Sequence, residues 1–325
     1  MRVLLTGSSG WLGRTLAPLL VEHGHRITGL DVVPGAHTDV IGTVADRALI
    51  ERVMGEHGIE AVIHGGALHK PDIVRYPRQA FVDVNVTGTL NLIEAAVAAG
   101  NDRFLFTSTT SLMVRADVRA GAGVKGAWWM DEDFAPVEPR NIYGITKLAA
   151  EQAVKLVHRE HGINVAILRT GRFFPEDDDT HATPSGENLK ANELLNRRLT
   201  VEDAAGAHLA ALEAAPQIGC DTFILSAPPP FAREDAEELA RDARAVIARQ
   251  YPDAAALYAT KGWVLPDIID RVYDPSRAER RFGWRAKSDF GSVLAALRDG
   301  TDLPFAHDPD YTSPIIAQER DACMC

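Results

Sequence analysis

The chain's 325 residues, 46% of them hydrophobic and 24% charged, suffice for one large α/β domain with a smaller appended part, or for two domains. A formal charge of -11 without any run of Lys or Arg disfavours a nucleic-acid partner, whose phosphates demand clustered cations, and suits a small ligand held by local dipoles. The apolar start at residues 1–5 is too short for a signal peptide or a membrane span, so a cytoplasmic location with no membrane partner is expected; the odd count of three cysteines (Cys220, Cys323, Cys325) argues against a disulfide scaffold.

In chain order, short apolar runs bounded by Gly, Asp or Asn read as buried strands at residues 2–6, 26–30, 61–64, 103–107 and 164–169. Helical patterns lie between them. Leu12, Leu16, Leu19 and Leu20 share one helix face, and Val86, Leu90, Ile93 and Val97 share another that stops at Gly100. Strand–helix alternation predicts right-handed crossovers and a Rossmann-type, doubly wound parallel sheet over residues 1–175. Residues 176–325 are expected to form a smaller C-terminal substrate-binding lobe, interleaved with the first part rather than independent of it. Its entry is a polar loop from Phe173, in which Asp177-Asp178-Asp179 lacks the ligand spacing of a calcium loop and reads as a solvated acidic segment; no metal is expected. Beyond it come a helix at 201–214, a strand at 221–225, a helix at 233–250 and a strap from Arg271 through Trp284. The Cys-Met-Cys end reads as a frayed terminus.

Gly7, Gly10 and Gly13 sit between the first strand and the first helix, in Gly7-Ser8-Ser9-Gly10-Trp11-Leu12-Gly13. Gly7 permits a tight turn, Gly10 a close backbone approach to a pyrophosphate, and Gly13 close helix–strand packing; the helix start at Trp11 and Leu12 offers free N–H groups to the phosphates. Asp31 ends the second strand, placed to accept hydrogen bonds from the adenosine ribose hydroxyls. No cation among Val32, Val33 and Pro34 would offset a 2′-phosphate, which predicts NAD over NADP by ~100-fold or more.

Tyr143-Gly144-Ile145-Thr146-Lys147 places Tyr143 and Lys147 one helical turn apart on one face. An ammonium about 4 Å from the phenol would stabilise the phenolate by up to ~4 kcal/mol, which predicts a Tyr143 pKa lowered by roughly three units and a group able to exchange a proton with a substrate hydroxyl as hydride moves. The strand before it ends in Thr107-Ser108-Thr109-Thr110-Ser111, whose hydroxyls should face the ligand crevice.

This ordered combination resembles the extended short-chain dehydrogenases, the NAD-dependent epimerase/dehydratase family. The likeness is carried by Val3 through Gly13, Ala61-Val62-Ile63-His64, Asn85-Val86-Thr87-Gly88-Thr89, Phe104 through Ser108, Tyr143 through Lys147 and Leu168-Arg169. It extends to Val201-Glu202-Asp203 with His208 and to Tyr273-Asp274 through Gly283-Trp284. The resemblance implies an enzyme that binds NAD, with Tyr143, Lys147 and Thr109 as the catalytic set and Thr110 and Ser111 as alternatives to Thr109. It implies that Ser9, Thr43, Val44, Gly65, Gly66, Asn85 and Thr107 belong to the cofactor site, and that His64 is more often structural than catalytic. Thr43 stands where the family often has an aspartate, and the usual His-x-Ala-Ala reads His64-Gly65-Gly66-Ala67, with Gly66 in place of the first alanine. Arg169-Thr170-Gly171-Arg172 replaces the Arg-Tyr-Phe-Asn common in nucleotide-sugar members. In that respect the chain is similar to the uronate dehydrogenases, which implies His69 and Arg172 at the substrate. Arg172 could grip a carboxylate or brace Glu176 or Asp177.

An insertion at 115–133 carries Trp128-Trp129, a sugar-stacking lid or, as the preferred reading, packing at a sheet edge or a subunit contact. The expected function is NAD-dependent hydride transfer at a secondary alcohol or ketone of a carbohydrate-like molecule. The alternatives are a sugar or nucleotide-sugar epimerase/dehydratase with internal hydride return, and a non-catalytic NAD sensor, which would have no need of Tyr143 and Lys147. The family's dehydratases commonly show Asp-Glu where this chain has Thr110-Ser111. Apolar residues on several faces of the helices near 86–99 and 141–161 (Ile142, Ile145, Leu148, Ala149, Val154, Leu156), together with the family's habit of pairing these helices, predict a homodimer.

Overall fold

The computed structural model describes residues 1–177, 184 and 186–323. Its strands in chain order are β1 (Arg2–Thr6), β2 (Arg26–Asp31), β3 (Val40–Ile41), β4 (Ala61–His64), β5 (Arg103–Thr109), β6 (Trp128–Met130), β7 (Asn164–Thr170), β8 (Cys220–Leu225) and β9 (Arg271–Tyr273). Seven form one sheet in the order β3-β2-β1-β4-β5-β7-β8, every neighbour parallel. The chain runs outward from β1 to β3 and then returns to β4 on the other side of β1, so the order reverses between β1 and β4. A doubly wound sheet opens its ligand crevice at such a reversal, outside the strands' carboxyl ends. Here those ends are Thr6 and His64.

Because successive side chains of a strand face opposite ways, each strand feeds two cores. Val3, Leu5, Ala61, Ile63, Leu105, Ala166 and Leu168 pack under the helices Trp11–Glu22 and Val201–Ile218. Leu4, Val62, Phe104, Phe106, Val165 and Ile167 pack under Arg47–His57, Gly88–Ala98 and Ile142–His161. Burial on both faces is why these strands read as unbroken apolar runs rather than alternating ones. β8 and the helix Val201–Ile218, both beyond residue 175, complete the sheet and cover it. Trp284 docks into that same core, so the segment expected as a strap does pack back on the fold.

The remaining lobe has its own core, including Leu194, Phe231, Ile247, Tyr258, Val272 and Phe290. The helix expected at 233–250 is broken in the structure into the turn Arg233–Asp235 and the helices Ala236–Leu239 and Ala243–Gln250. Asp242 causes the restart: its carboxylate accepts the Ala245 N–H at 3.1 Å as an N-cap, while the Ala243 N–H goes to the Asp267 carbonyl at 2.9 Å. The two tryptophans of the insertion are tied into the fold. Trp128 donates to the Gly121 carbonyl at 2.9 Å and Trp129 to Asp274 at 3.1 Å, and β6 pairs with β9. Asp178, Asp179 and Cys325 lie outside the described residues. Among those described, no helix is long and apolar enough to cross a membrane.

Candidate active site

The glycine loop closes against the first turn after β4. Gly7 has φ +75°, and a Cβ on it would lie 2.8 Å from the Gly66 nitrogen; a Cβ on Gly13 would overlap the Gly7 carbonyl. Only glycine satisfies both positions. The helix Trp11–Glu22 starts at Gly10 with no side-chain cap and no acidic residue in its first turn, which leaves its leading N–H groups for an anion. Asp31 lies beside this cradle. Its carboxylate accepts the Ser9 N–H at 3.0 Å and the Val33 N–H at 3.3 Å. Burial raises its pKa, and those N–H groups pull the other way. A cradle that any Cβ would fill, an uncapped helix start and a carboxylate at the end of β2 fit a dinucleotide. Among the described residues no cluster of His, Cys, Asp or Glu could hold a metal ion.

The other expected cofactor residues divide. Ser9 donates its hydroxyl to the Val33 carbonyl at 2.9 Å, and Trp11 donates to the Phe173 carbonyl at 3.2 Å, tying the loop to the entrance of the lobe. Leu12 packs against the core beneath helix Val201–Ile218. Thr43 accepts the Ala45 N–H at 3.2 Å, whereas the Val44 side chain is buried in the core under Gly88. Asn91 holds this loop by donating to the Val44 and Ala45 carbonyls, each at 3.1 Å. The sequence reading missed it, since nothing local marks an asparagine that works across 46 residues.

Under Gly65 and Gly66 runs a hydrogen-bond chain whose direction is determined. Thr89 gives its hydroxyl proton to the Asn85 carbonyl at 2.7 Å, so His64 Nε2 must donate to Thr89 at 3.0 Å. His64 Nδ1 is then the acceptor of the Thr6 hydroxyl at 2.7 Å, and Thr6 in turn accepts the Gly66 N–H at 3.1 Å. Burial holds the His64 pKa well below its usual value, so the ring is neutral and acts as a brace. Asn85 sits in a π-helical turn, Asp83–Thr87, and clamps the same loop: it accepts the Leu68 N–H at 2.9 Å and donates to the Leu68 carbonyl at 3.0 Å.

Tyr143, Lys147 and Thr109 come together at the carboxyl end of β5. The Thr109 side chain lies by the phenol and works to lower its pKa. The alternatives turn elsewhere: Thr110 is buried and donates to the Thr170 carbonyl at 3.2 Å, and Ser111 is exposed. Thr107 donates its hydroxyl to His208 Nε2 at 2.9 Å, because His208 Nδ1 is already committed to the Ala204 carbonyl at 2.7 Å. His69 lies with its ring 5.7 Å from that of Tyr143, backed by Phe174 at 5.9 Å and by Asp72, which accepts the His69 N–H at 2.6 Å.

The expected lowering of the Tyr143 pKa is not what the structure has. Burial, its largest influence, pushes the phenol up to about 12, and Thr109 only partly opposes this. The Lys147 ammonium is spent on the Thr107 carbonyl at 2.6 Å and lies 4.2 Å over the Phe106 ring. Burial lowers its own pKa to about 7, with Glu151 opposing. Spacing put the two side chains on one face but did not set the lysine's rotamer. A lysine whose folded pKa lies below its unfolded value destabilises the fold while charged, and that penalty is relieved as pH rises from about 7 toward the unfolded value near 10.5. Stability should therefore climb over that window by an amount of order a few kcal/mol, and Lys147→Met should flatten the climb. Urea midpoints at successive pH values test this; parallel curves for the two proteins would refute it.

Arg172 stands at the lobe entrance in a mixed charge cluster. Its charge acts on Glu176, Glu193 and Arg198, and its carbonyl accepts the Leu199 N–H at 3.2 Å. Glu193 holds Arg197 at 3.1 Å and Arg198 at 2.9 Å, and Lys190 Nζ bonds His307 Nδ1 at 2.6 Å. Of the two expected roles of Arg172, the loop brace has Glu176 at hand.

The sequence model of the NAD dependent epimerase/dehydratase family matches residues 3–219. A UDP-glucose 4-epimerase of Rhizobium meliloti (strain 1021) is 31% identical over 216 residues, 60% of this chain and 61% of that protein. A uronate dehydrogenase of Pseudomonas syringae pv. tomato is 26% identical over 184 residues, 54% of this chain and 62% of that protein. The chain thus spans less than two thirds of the length of these curated relatives. The fold superposes on a UDP-glucose 4-epimerase of Thermus thermophilus in complex with NAD with a TM-score of 0.62 at 20% identity, over 92% of this chain and 99% of that one. A mutated uronate dehydrogenase gives a TM-score of 0.60 at 18% identity, over 99% and 98%.

Proposed function

The chain belongs to the NAD dependent epimerase/dehydratase family, and from that premise we propose an NAD-dependent oxidoreductase acting on a secondary alcohol or ketone of a carbohydrate-like small molecule, with a sugar acid as the preferred substrate class. The observation that carries this reading is the meeting of Tyr143, Thr109 and Lys147 at the carboxyl end of β5, where Lys147 reaches the Thr107 carbonyl at 2.6 Å, in the same sheet as the glycine cradle. The chemistry that NAD would supply, when bound, is hydride transfer to or from the substrate. Gly7, Gly10 and Gly13 with the helix start at Trp11 would hold the pyrophosphate, and Asp31 the adenosine ribose. Thr109 lies by the phenol, whose oxygen exchanges the substrate's hydroxyl proton. His69 and Phe174 would shape the substrate side. We read residues 1–175 as the cofactor part and 176–325 as the substrate part, interleaved through β8. A two-fold pairing of the helices Gly88–Ala98 and Ile142–His161 is supported by the exposed Ile145, Ala149 and Leu156, while Val154 of the expected set faces the core.

Similarity to UDP-glucose 4-epimerases favours a second reading, internal hydride return. A screen of sugars and sugar acids separates the two: a dehydrogenase releases NADH to solution with its product, whereas an epimerase converts substrate with no net NADH absorbance. For an acidic substrate, Arg172→Lys should raise KM by roughly tenfold or more, because Lys lacks the planar two-donor fork. A lowered Tm with unchanged KM would instead assign Arg172 to bracing the loop at Glu176.

A further inference from the structure

The helix Ile142–His161 carries a third polar residue on the face of Tyr143 and Lys147, one turn further on. Glu151 is 0% exposed, in a core where an unpaired carboxylate would be costly. It is fully engaged: one oxygen accepts the Ser108 hydroxyl at 2.6 Å and Arg169 Nε at 2.9 Å, the other accepts Arg169 Nη2 at 2.7 Å. Ser108 lies between Thr107, whose carbonyl receives the Lys147 ammonium at 2.6 Å, and Thr109, which lies by Tyr143. One carboxylate therefore joins the helix to β5 and β7 at the residues that seat the chemistry.

We propose that Glu151 is a positioning residue: its buried carboxylate, oriented by Ser108 and Arg169, is the counter-charge that keeps the Lys147 ammonium seated on the Thr107 carbonyl. The surroundings single it out. Facing Lys147 are the neutral His64 of β4, the Thr107 carbonyl and Phe106 ring of β5, and His69, which burial and Lys147 hold to about 4. Tyr143 on the same helix is un-ionised, Asp72 bears on Tyr143, and His208 reaches the site only through Thr107. Arg169 of β7 is the cation that Glu151 holds, at 2.9 and 2.7 Å, and removing the carboxylate alone would leave that charge buried without its partner. Glu151 is accordingly the group that favours a charged Lys147.

The importance of this seat to catalysis rests on the oxidoreductase reading above, but the titration of Lys147 does not. That titration can be followed by the side-chain 13C signal in protein carrying ε-13C lysine, assigned by its loss in Lys147→Met. Glu151→Gln should lower the Lys147 midpoint by about one pH unit or more, since it leaves Arg169 unopposed. Glu151→Gln/Arg169→Gln, which removes both charges of the buried pair and is the variant expected to fold, should bring back part of the loss. A purely structural ion pair would leave all three proteins titrating together, and that result in folded protein overturns the proposal. If the midpoints fall in the order wild type, double variant, single variant while no substrate yields activity, the functional reading fails and the positioning role stands.

Discussion

Replacing Tyr143 with Phe should lower turnover by about a hundredfold to ten-thousandfold, the usual worth of a positioned acid–base group, and leave NAD affinity nearly unchanged. The substitution removes one oxygen and keeps the ring against His69 at 5.7 Å. Thr109 retains a partner, since its hydroxyl oxygen accepts the Ser111 N–H at 3.1 Å, so no buried polar atom is stranded. A phenol held up to about 12 is protonated at neutral pH and is in the form that donates to a ketone. The oxidative direction should accordingly be favoured by alkaline pH. Steady-state rates beside calorimetric NAD binding give the test; near-normal turnover in Tyr143→Phe would remove Tyr143 from the reaction.

The second large effect belongs to Asp31. The intact protein should bind NAD ~100-fold or more tightly than NADP, because a 2′-phosphate would meet the Asp31 carboxylate with no cation nearby. Asp31→Ala should shrink that ratio to about tenfold or less while weakening NAD itself. The weakening has two sources. The ribose loses its acceptor, and the Ser9 and Val33 N–H groups lose theirs, so the glycine loop is less firmly set. Equal affinities for the two dinucleotides in the unaltered protein, measured by titration calorimetry, would show the ribose contact to be misassigned.

The fold was legible because a parallel sheet buried on both faces writes its strands as apolar runs, and the glycine loop marks where the first of them turns into a helix. β5 and β7 run one or two residues further than expected, through Thr109 and Thr170, since hydroxyl side chains at a strand end resemble a loop. Tyr143 and Lys147 were legible as a pair by their spacing. Where Lys147 spends its protons was not, because periodicity assigns a face and the rotamer is decided by the Thr107 carbonyl across the helix–strand interface. Glu151 followed the same spacing, yet a glutamate in a helix reads as solvent-facing until its arginine, 18 residues on, is seen beside it. The break at Asp242 was overlooked for a related reason. Ala, Glu and Arg favour helix throughout residues 233–250, and only the N-cap residue reveals the restart.

The crossing of β8 from the lobe back into the main sheet bears on how the chain acquires its structure. β7 is an edge until residues beyond 200 arrive, and a bare edge of unpaired N–H and C=O groups invites association with another chain. Trp284 reaches its place beneath the helix Val201–Ile218 only after most of the sequence is available. A nascent chain that stopped near residue 175 would hold the glycine cradle and its helix Trp11–Glu22 without the strand β8 and the helix Val201–Ile218 that pack beside them. The two parts should therefore mature as one cooperative unit, and exchanging residues 176–325 as a cassette should require rebuilding the outermost strand of the main sheet.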